Sequence, residues 1–177
     1  MMTNGIYIDS RASYASSKLG AALRSMALPA ERKTVIVCIG SDKVTGDCLG
    51  PLTGKFLKES SACTSLFGTL EQPVHAINLD ATMRQINTLY QNPFIIAVDA
   101  CLGRWTHVGF INVMRGAIRP GAGTGKILPG IGDIGISGIV NIPGGRAQLS
   151  LQSTRLHLVM RMAEVIASGL ADGIKTG

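Results

Sequence analysis

The chain predicts an α/β fold, a mostly parallel sheet covered by helices on both faces, and two patterns carry that expectation. Short β-branched apolar runs at Thr34 to Ile39 and Phe94 to Val98 have the look of strands buried on both sides. Apolar residues at helical spacing follow them. Strands alternating with helices through short connections give parallel pairing, because right-handed crossovers carry the helices over both faces. Composition agrees: 46% of residues are apolar, 16% are charged and 22 glycines sit at turn-like positions, which suits a well-filled core and argues against disorder. A chain of 177 residues with evenly mixed segments is expected to form a single domain over 1–177.

In chain order, Leu19, Ala22, Leu23 and Met26 predict an amphipathic helix from Ser13 to Met26 that ends before Pro29, within an N-terminal helix and arm over 1–28. Thr34 to Ile39 is the first strand, closed by Gly40. The loop Ser41 to Asp47 leads to Leu49, Leu52 and Phe56 at helical spacing. Pro73 to Leu79 reads as a second strand, and Ala81 to Tyr90 as a helix stopped by Asn92-Pro93. Phe94 to Val98 is the third strand, terminating in Asp99. Val108 to Met114 and Ile136 to Ile142 predict two more strands, separated by a Gly-rich segment from Arg119 to Gly135. From Leu156 on, Val159, Met160, Ala163, Ile166, Ala167 and Leu170 form a helical stripe, with His157, Arg161, Glu164 and Ser168 opposite, and a flexible tail is expected at 171–177.

Several function classes find no support. The formal charge of +6 is dispersed along the chain and aromatic residues are only 5%, so neither a basic stripe nor a stacking platform for nucleic acid is visible. No apolar run approaches the ~20 residues that cross a bilayer, so a soluble protein without a membrane partner is expected. Cys38, Cys48, Cys63 and Cys101 contain no CxxC pair and follow no secretory signal, which predicts reduced thiols in a cytoplasmic setting. The GAGTG run departs from the G-x-x-x-x-G-K-[ST] phosphate cradle and lies mid-chain, so nucleotide binding is not indicated.

Chemistry in open α/β sheets gathers beyond the carboxyl ends of the strands. Asp99 ends the third predicted strand, and Asp47 follows the first across a short loop. If those strands are neighbours, both carboxylates face one crevice. Two close carboxylates do not both ionise readily; one then serves as base on a water while the other polarises a carbonyl. Each also has a plainer account, Asp47 as the cap of the following helix and Asp99 as a turn or cap residue.

Three segments carry a family resemblance. Cys38-Ile-Gly-Ser-Asp-Lys-Val-Thr-Gly-Asp-Cys-Leu-Gly-Pro51 resembles the first motif of the spore germination protease: strand, glycine, short loop, Asp, small residue, Leu-Gly-Pro. Ile95-Ile-Ala-Val-Asp-Ala-Cys-Leu102 is similar to its second, and Ile118-Arg-Pro-Gly-Ala-Gly-Thr-Gly125 to its Gly-rich third. The chain departs in being shorter and in having Gly46 where the larger enzyme has proline. In this order the motifs most resemble the small YyaC family of sporulation proteins. That resemblance implies a three-layer α/β/α sandwich shared with hydrogenase maturation endopeptidases, and an aspartic-type endopeptidase with Asp47 and Asp99 as the catalytic pair. It further implies a protein or peptide substrate of the small acid-soluble spore protein type and a place in the forespore or spore core; an oligomer is compatible with it. Gly40, Ser41, Gly121, Gly123 and Gly125 are the expected substrate-binding positions, the Gly-rich segment acting as a binding loop.

No cofactor is expected, with a divalent metal as the alternative, because the related maturation endopeptidases bind one through carboxylates and a histidine. His107, eight residues after Asp99, is the metal-ligand candidate; His75 reads as a structural histidine inside a strand and His157 as a solvated one. Cys48 and Cys101 flank the aspartates, but no histidine is placed to activate a thiol nucleophile. An inactive protease-like binding or assembly module remains the competing non-enzymatic reading.

Overall fold

The central strands form where β-branched residues line up. In the computed structural model, which describes residues 5–61, 65–121 and 129–174, β2 (Thr34–Cys38) pairs in parallel with β4 (Phe94–Leu102) from Thr34 opposite Phe94 to Cys38 opposite Val98. The two-residue period of a strand then sorts the side chains. Ile36, Cys38, Ile96, Val98 and Ala100 enter one core, while Val35, Val37, Ile39, Ile95 and Ala97 enter the other. Around this pair the sheet is built from β1 (Ile6–Asp9), β3 (Leu66–Phe67), β5 (Phe110–Arg115) and β6 (Ile134–Asn141), in the order β1-β5-β6-β4-β2-β3. Only β5 runs against the rest, so the sheet is mostly parallel.

Helices cover both faces. The first core takes Leu19 and Leu23 of α1 (Ala15–Ser25), Leu49 and Leu57 of α2 (Leu49–Glu59), and Val159, Met162, Ile166 and Leu170 of α5 (Leu156–Ile174). The second takes Leu79 and Ile86 of α3 (Leu79–Leu89). A short α4 (Ala147–Gln152) lies at the carboxyl end of the sheet beside a 3₁₀ turn at Thr45–Cys48. From β2 the chain crosses to β3 on one side, then returns past β2 to β4, so the right-handed crossovers set α2 and α3 on opposite faces. Space is left open beyond the carboxyl ends of β2 and β4. No helix among the described residues is long and apolar enough to cross a membrane.

Three expectations need correction. Pro73 to Leu79 is not a strand: only Val74 bridges to Ile39, and the Asn78 side chain closes a turn by accepting the His75 N–H (2.8 Å) and donating to the Pro73 carbonyl (3.0 Å). Local side-chain bonds satisfy backbone groups that a ladder would otherwise take, and the turn feeds directly into α3. The third strand does not terminate at Asp99, because β6 continues to pair with β4 as far as Leu102. Of the expected tail, residues 171–174 belong to α5, while 175–177 lie outside the described residues. The short elements β1, β3 and α4 are additions that the residue pattern did not announce.

The Leu-Gly-Pro run explains how α2 seats itself. A methyl group at Gly50 would collide with the Ile39 carbonyl oxygen, so glycine lets the first turn of the helix lie against the end of β2, and Pro51 starts that turn without needing an N–H partner. Gly50→Ala is therefore expected to destabilise the fold by about 1–3 kcal/mol. Thermal denaturation checks this, each kcal/mol lowering Tm by about 2–4 °C at this chain length.

Candidate active site

A cleft of about 530 Å³ occupies the open space beyond β2 and β4. Its polar walls are Ser41, Asp42, Lys43, Asp47, His75, Asp99 and Gln148, and Ile39, Val44, Ile77 and Leu151 line it with apolar surface. A shallower depression over Gly144, Arg146 and Ser153 has Arg146 as its only charged side chain and gathers no acid–base group.

Asp99 reaches the cleft because β4 outruns β2. On β4 it follows Ile95 and Ala97 on the α3 face, pairs in register with Ser137 of β6, and is only 6% exposed. Across from it, the Ile39 N–H donates to the Val98 carbonyl (2.7 Å) and the chain then turns away at Gly40, whose N–H donates to the Val74 carbonyl (2.8 Å). The turn reading of Asp99 thus falls; it is a buried carboxyl inside a strand. Its Oδ1 accepts the Ala100 N–H (2.9 Å), and the Gly121 N–H also hydrogen-bonds to the carboxylate.

Asp47 sits in the 3₁₀ turn before α2, its N–H bonded to the Val44 carbonyl (2.9 Å). The capping account does not hold, since Cys48 is the N-cap of α2 and no side chain caps that helix. Gly40 sets this placement. Its φ of 147° is a glycine conformation, and a side chain there would collide with the Asp47 carbonyl, which accepts the Ser41 N–H (3.2 Å). Gly40, Ser41 and Gly121 therefore line the cleft and also hold the two carboxyl groups; Gly123 and Gly125 lie outside the described residues.

Burial raises the Asp47 carboxyl above its ordinary range, opposed by the Ser41 N–H and by the nearby charge of His75. Asp99 is raised well above that range, first by burial and then by the charge of Asp47. Both carboxyls are shifted the same way, Asp99 further, because it is more deeply buried and also feels the charge of Asp47. The same surroundings quiet the thiols. Cys101 is pushed up to about 12 by burial and by Asp99, and Cys48 is raised by burial and then by Asp42 and Asp47. Neither is a thiolate nucleophile at neutral pH.

The histidines exchange places. His107, the metal-ligand candidate, stacks on Tyr7 (5.2 Å between ring centroids) and meets the edge of Phe110 (5.6 Å), outside the cleft lining. His75 is the residue that lines the cleft. Sequence reasoning missed it because the assumed strand hid the turn that presents it; the Asn three residues later, a turn former, was the available signal. Among the described residues no three His, Cys, Asp or Glu side chains stand close enough to hold a metal ion.

This architecture is an α/β/α fold, similar to the crystal structure of a [NiFe] hydrogenase maturation protease, HycI, from Thermococcus kodakarensis KOD1. The TM-score is 0.55 with 18% identity, over 81% of this chain and 93% of that one, a likeness of fold alone. The chain belongs to the family described as "Protein of unknown function (DUF1256)", whose model matches residues 7–169. It is 49% identical over 148 residues to "Uncharacterized protein YyaC" of Bacillus subtilis (strain 168), covering 83% of this chain and 72% of that relative.

A carboxyl whose folded pKa lies above its unfolded one has a burial cost that is absent below the ordinary aspartate range and grows as the pH rises toward the folded value. Asp99→Asn is therefore expected to raise Tm at neutral pH, by about 2–4 °C for each kcal/mol relieved, and to change it little near pH ~3.5. Calorimetry at the two pH values checks the sign. Iodoacetamide at neutral pH is expected to spare Cys101 in the native protein and to label it after unfolding, as peptide mass mapping would read out.

Proposed function

We propose that this protein is an endopeptidase in which Asp47 and Asp99 activate a water against a peptide bond. One observation carries the reading: a buried Asp99, raised well above the ordinary carboxylate range, and a less buried Asp47 line one cleft beyond the carboxyl ends of adjacent parallel strands. As the water oxygen bonds to the carbonyl carbon, its proton passes to the Asp47 carboxylate, and Asp99 gives its proton to the carbonyl oxygen. When the tetrahedral intermediate collapses, one hydroxyl returns a proton to Asp99, the C–N bond breaks, and the leaving amine takes the proton from Asp47. Both carboxyl groups end as they began, and one water has been added across the bond.

The apolar walls of Ile39, Val44, Ile77 and Leu151 suit side chains of an extended peptide, and Ser41 and Gln148 offer polar contacts to its backbone. From the germination-protease resemblance we take small acid-soluble spore proteins as the substrate and the forespore or spore core as the setting. Incubating the purified protein with those spore proteins tests the proposal. Asp47→Asn and Asp99→Asn are each expected to slow cleavage by about 100-fold or more while the protein stays folded, and chelation is expected to leave the rate unchanged. Cleavage that survives both substitutions overturns the pair; loss of cleavage on chelation favours a metal-dependent site. Binding without cleavage favours the inactive module.

A further inference from the structure

Basic residues are spread along the whole chain, but acidic ones are not. Between Ala100 and Ala163 stand seven Lys and Arg residues and one carboxylate, Asp133. That stretch alone carries the net +6 of the protein, because the ten basic and ten acidic residues outside it cancel. Folding takes Asp133 to the amino end of the sheet, where it pairs with Arg32 (3.2 Å) and its Oδ2 accepts the Ile95 N–H (2.8 Å). At the carboxyl end, Arg104 after β4, Arg146 before α4 and Arg155 before α5 are exposed, and no described carboxylate forms an ion pair with them.

Asn141, at the end of β6, gathers these segments. Its carbonyl accepts the Gly103 N–H (2.9 Å), and its Nδ2 donates to the Ser150 carbonyl (2.8 Å) and to Thr154 Oγ1 (3.4 Å). The Gly144 N–H donates to Ser150 Oγ (3.0 Å), so the loop after β4, the segment after β6, α4 and the start of α5 meet at one place. The same segments hold large apolar side chains at high exposure: Trp105 (78%), Leu149 (57%), Leu156 (52%) and Ile142 (46%). Trp105 follows Arg104 and Leu156 follows Arg155 in the chain, while Leu149 lines the shallow depression together with Arg146. Helix α4 divides this surface from the cleft, giving Gln148 and Leu151 to the cleft and Leu149 and Gln152 to the depression.

Exposed apolar side chains set among unpaired arginines mark a surface for a partner. A second copy of this chain fits poorly, since a two-fold interface would set arginine against arginine and the rest of the chain has no net negative charge to offer. Nucleic acid would leave the aliphatic side chains without a role, and Trp105 is the only ring of the set on which a base could stack. We propose that this surface docks an acidic peptide segment of another protein, its carboxylates on Arg104, Arg146 and Arg155 and its apolar side chains on Trp105, Leu149 and Leu156. Arginine suits that task because its planar fork of donors matches a carboxylate. The surface lies outside the cleft, and the proposal does not depend on the peptidase reading.

Trp105 is the only tryptophan of the chain, so its emission reports on this surface directly. The probe is a short synthetic peptide of glutamate and leucine, compared with a lysine–leucine peptide and a glutamate–serine peptide. The glutamate–leucine peptide is expected to shift Trp105 emission to the blue and to bind about tenfold or more tighter than either of the others, with affinity falling as salt is raised. Arg146→Glu combined with Arg155→Glu is expected to weaken that binding by about tenfold or more, and Leu149→Ser by about threefold. A carboxylate just before α5 is favoured by the positive end of the helix, so Arg155→Glu keeps the fold. Should the double variant fail to fold, Arg155→Glu alone carries the test, with an expected weakening of about threefold. Equal affinity for the lysine–leucine peptide, unmoved Trp105 emission, or binding that charge reversal leaves unchanged overturns the proposal. So does tighter binding of a single-stranded oligonucleotide or of phosphatidylglycerol vesicles, which would assign the surface to nucleic acid or to a membrane.

Discussion

A carboxyl group buried inside a parallel sheet is the constraint to which the rest of the site is fitted. Asp99 occupies a strand position that continues a row of Ile95 and Ala97, where an apolar residue would cost nothing. Placing an ionisable group there is unfavourable unless its charge is suppressed or its oxygens are bonded. Both remedies are present: the carboxyl is raised toward its neutral form, and the Ala100 and Gly121 N–H groups hydrogen-bond to it. The end of β2 completes the arrangement. Because the chain leaves the sheet at Gly40 while β4 continues alongside β6, Asp99 borders an opening instead of another strand.

Close backbone approaches bring the second carboxyl to that opening. Gly40 yields its side-chain space to the Asp47 carbonyl, and Gly50 yields its own to the Ile39 carbonyl, so strand end, turn and helix start are locked at short range. The glycines of the first motif are thus explained by contacts rather than by turn chemistry in general. Asp47 is left half-buried among Ser41, His75 and the cleft, more solvated than Asp99. Unequal burial of two like groups is the simplest way to give them unequal proton affinities, and a nearby imidazole adds to the difference.

The likeness to a maturation protease establishes the architecture, and membership of the YyaC-containing family places the chain among close relatives. Neither supplies a reaction. Folds of this layered kind host many chemistries, so the reading of function rests on the cleft: which groups reach it, how buried they are, and where protons reside. The described residues assemble two carboxyls and one histidine there without the spacing of a metal site, and their neighbouring thiols are held protonated. Proton transfer is the chemistry these groups are suited to.

Much of this was readable before any coordinates. The runs at Thr34 and Phe94 and the α2 and α5 stripes followed from residue type and spacing, because burial on a two- or 3.6-residue period leaves a direct imprint on the chain. Elements with short or weak patterns escaped: β1 and β3 are brief, α4 has one buried residue, and the turn at Pro73 to Asn78 mimicked a strand until its side-chain bonds were seen. What the sequence by itself determined, then, was an α/β sheet with two carboxylates, Asp47 after the first buried run and Asp99 adjoining the run at Phe94 to Val98. That those strands are neighbours, that Asp99 lies within β4, and that His75 instead of His107 lines the cleft were decided by tertiary structure alone. The physical reason is that strand order and the meeting of distant loops depend on which faces pack together, and no local period encodes that choice.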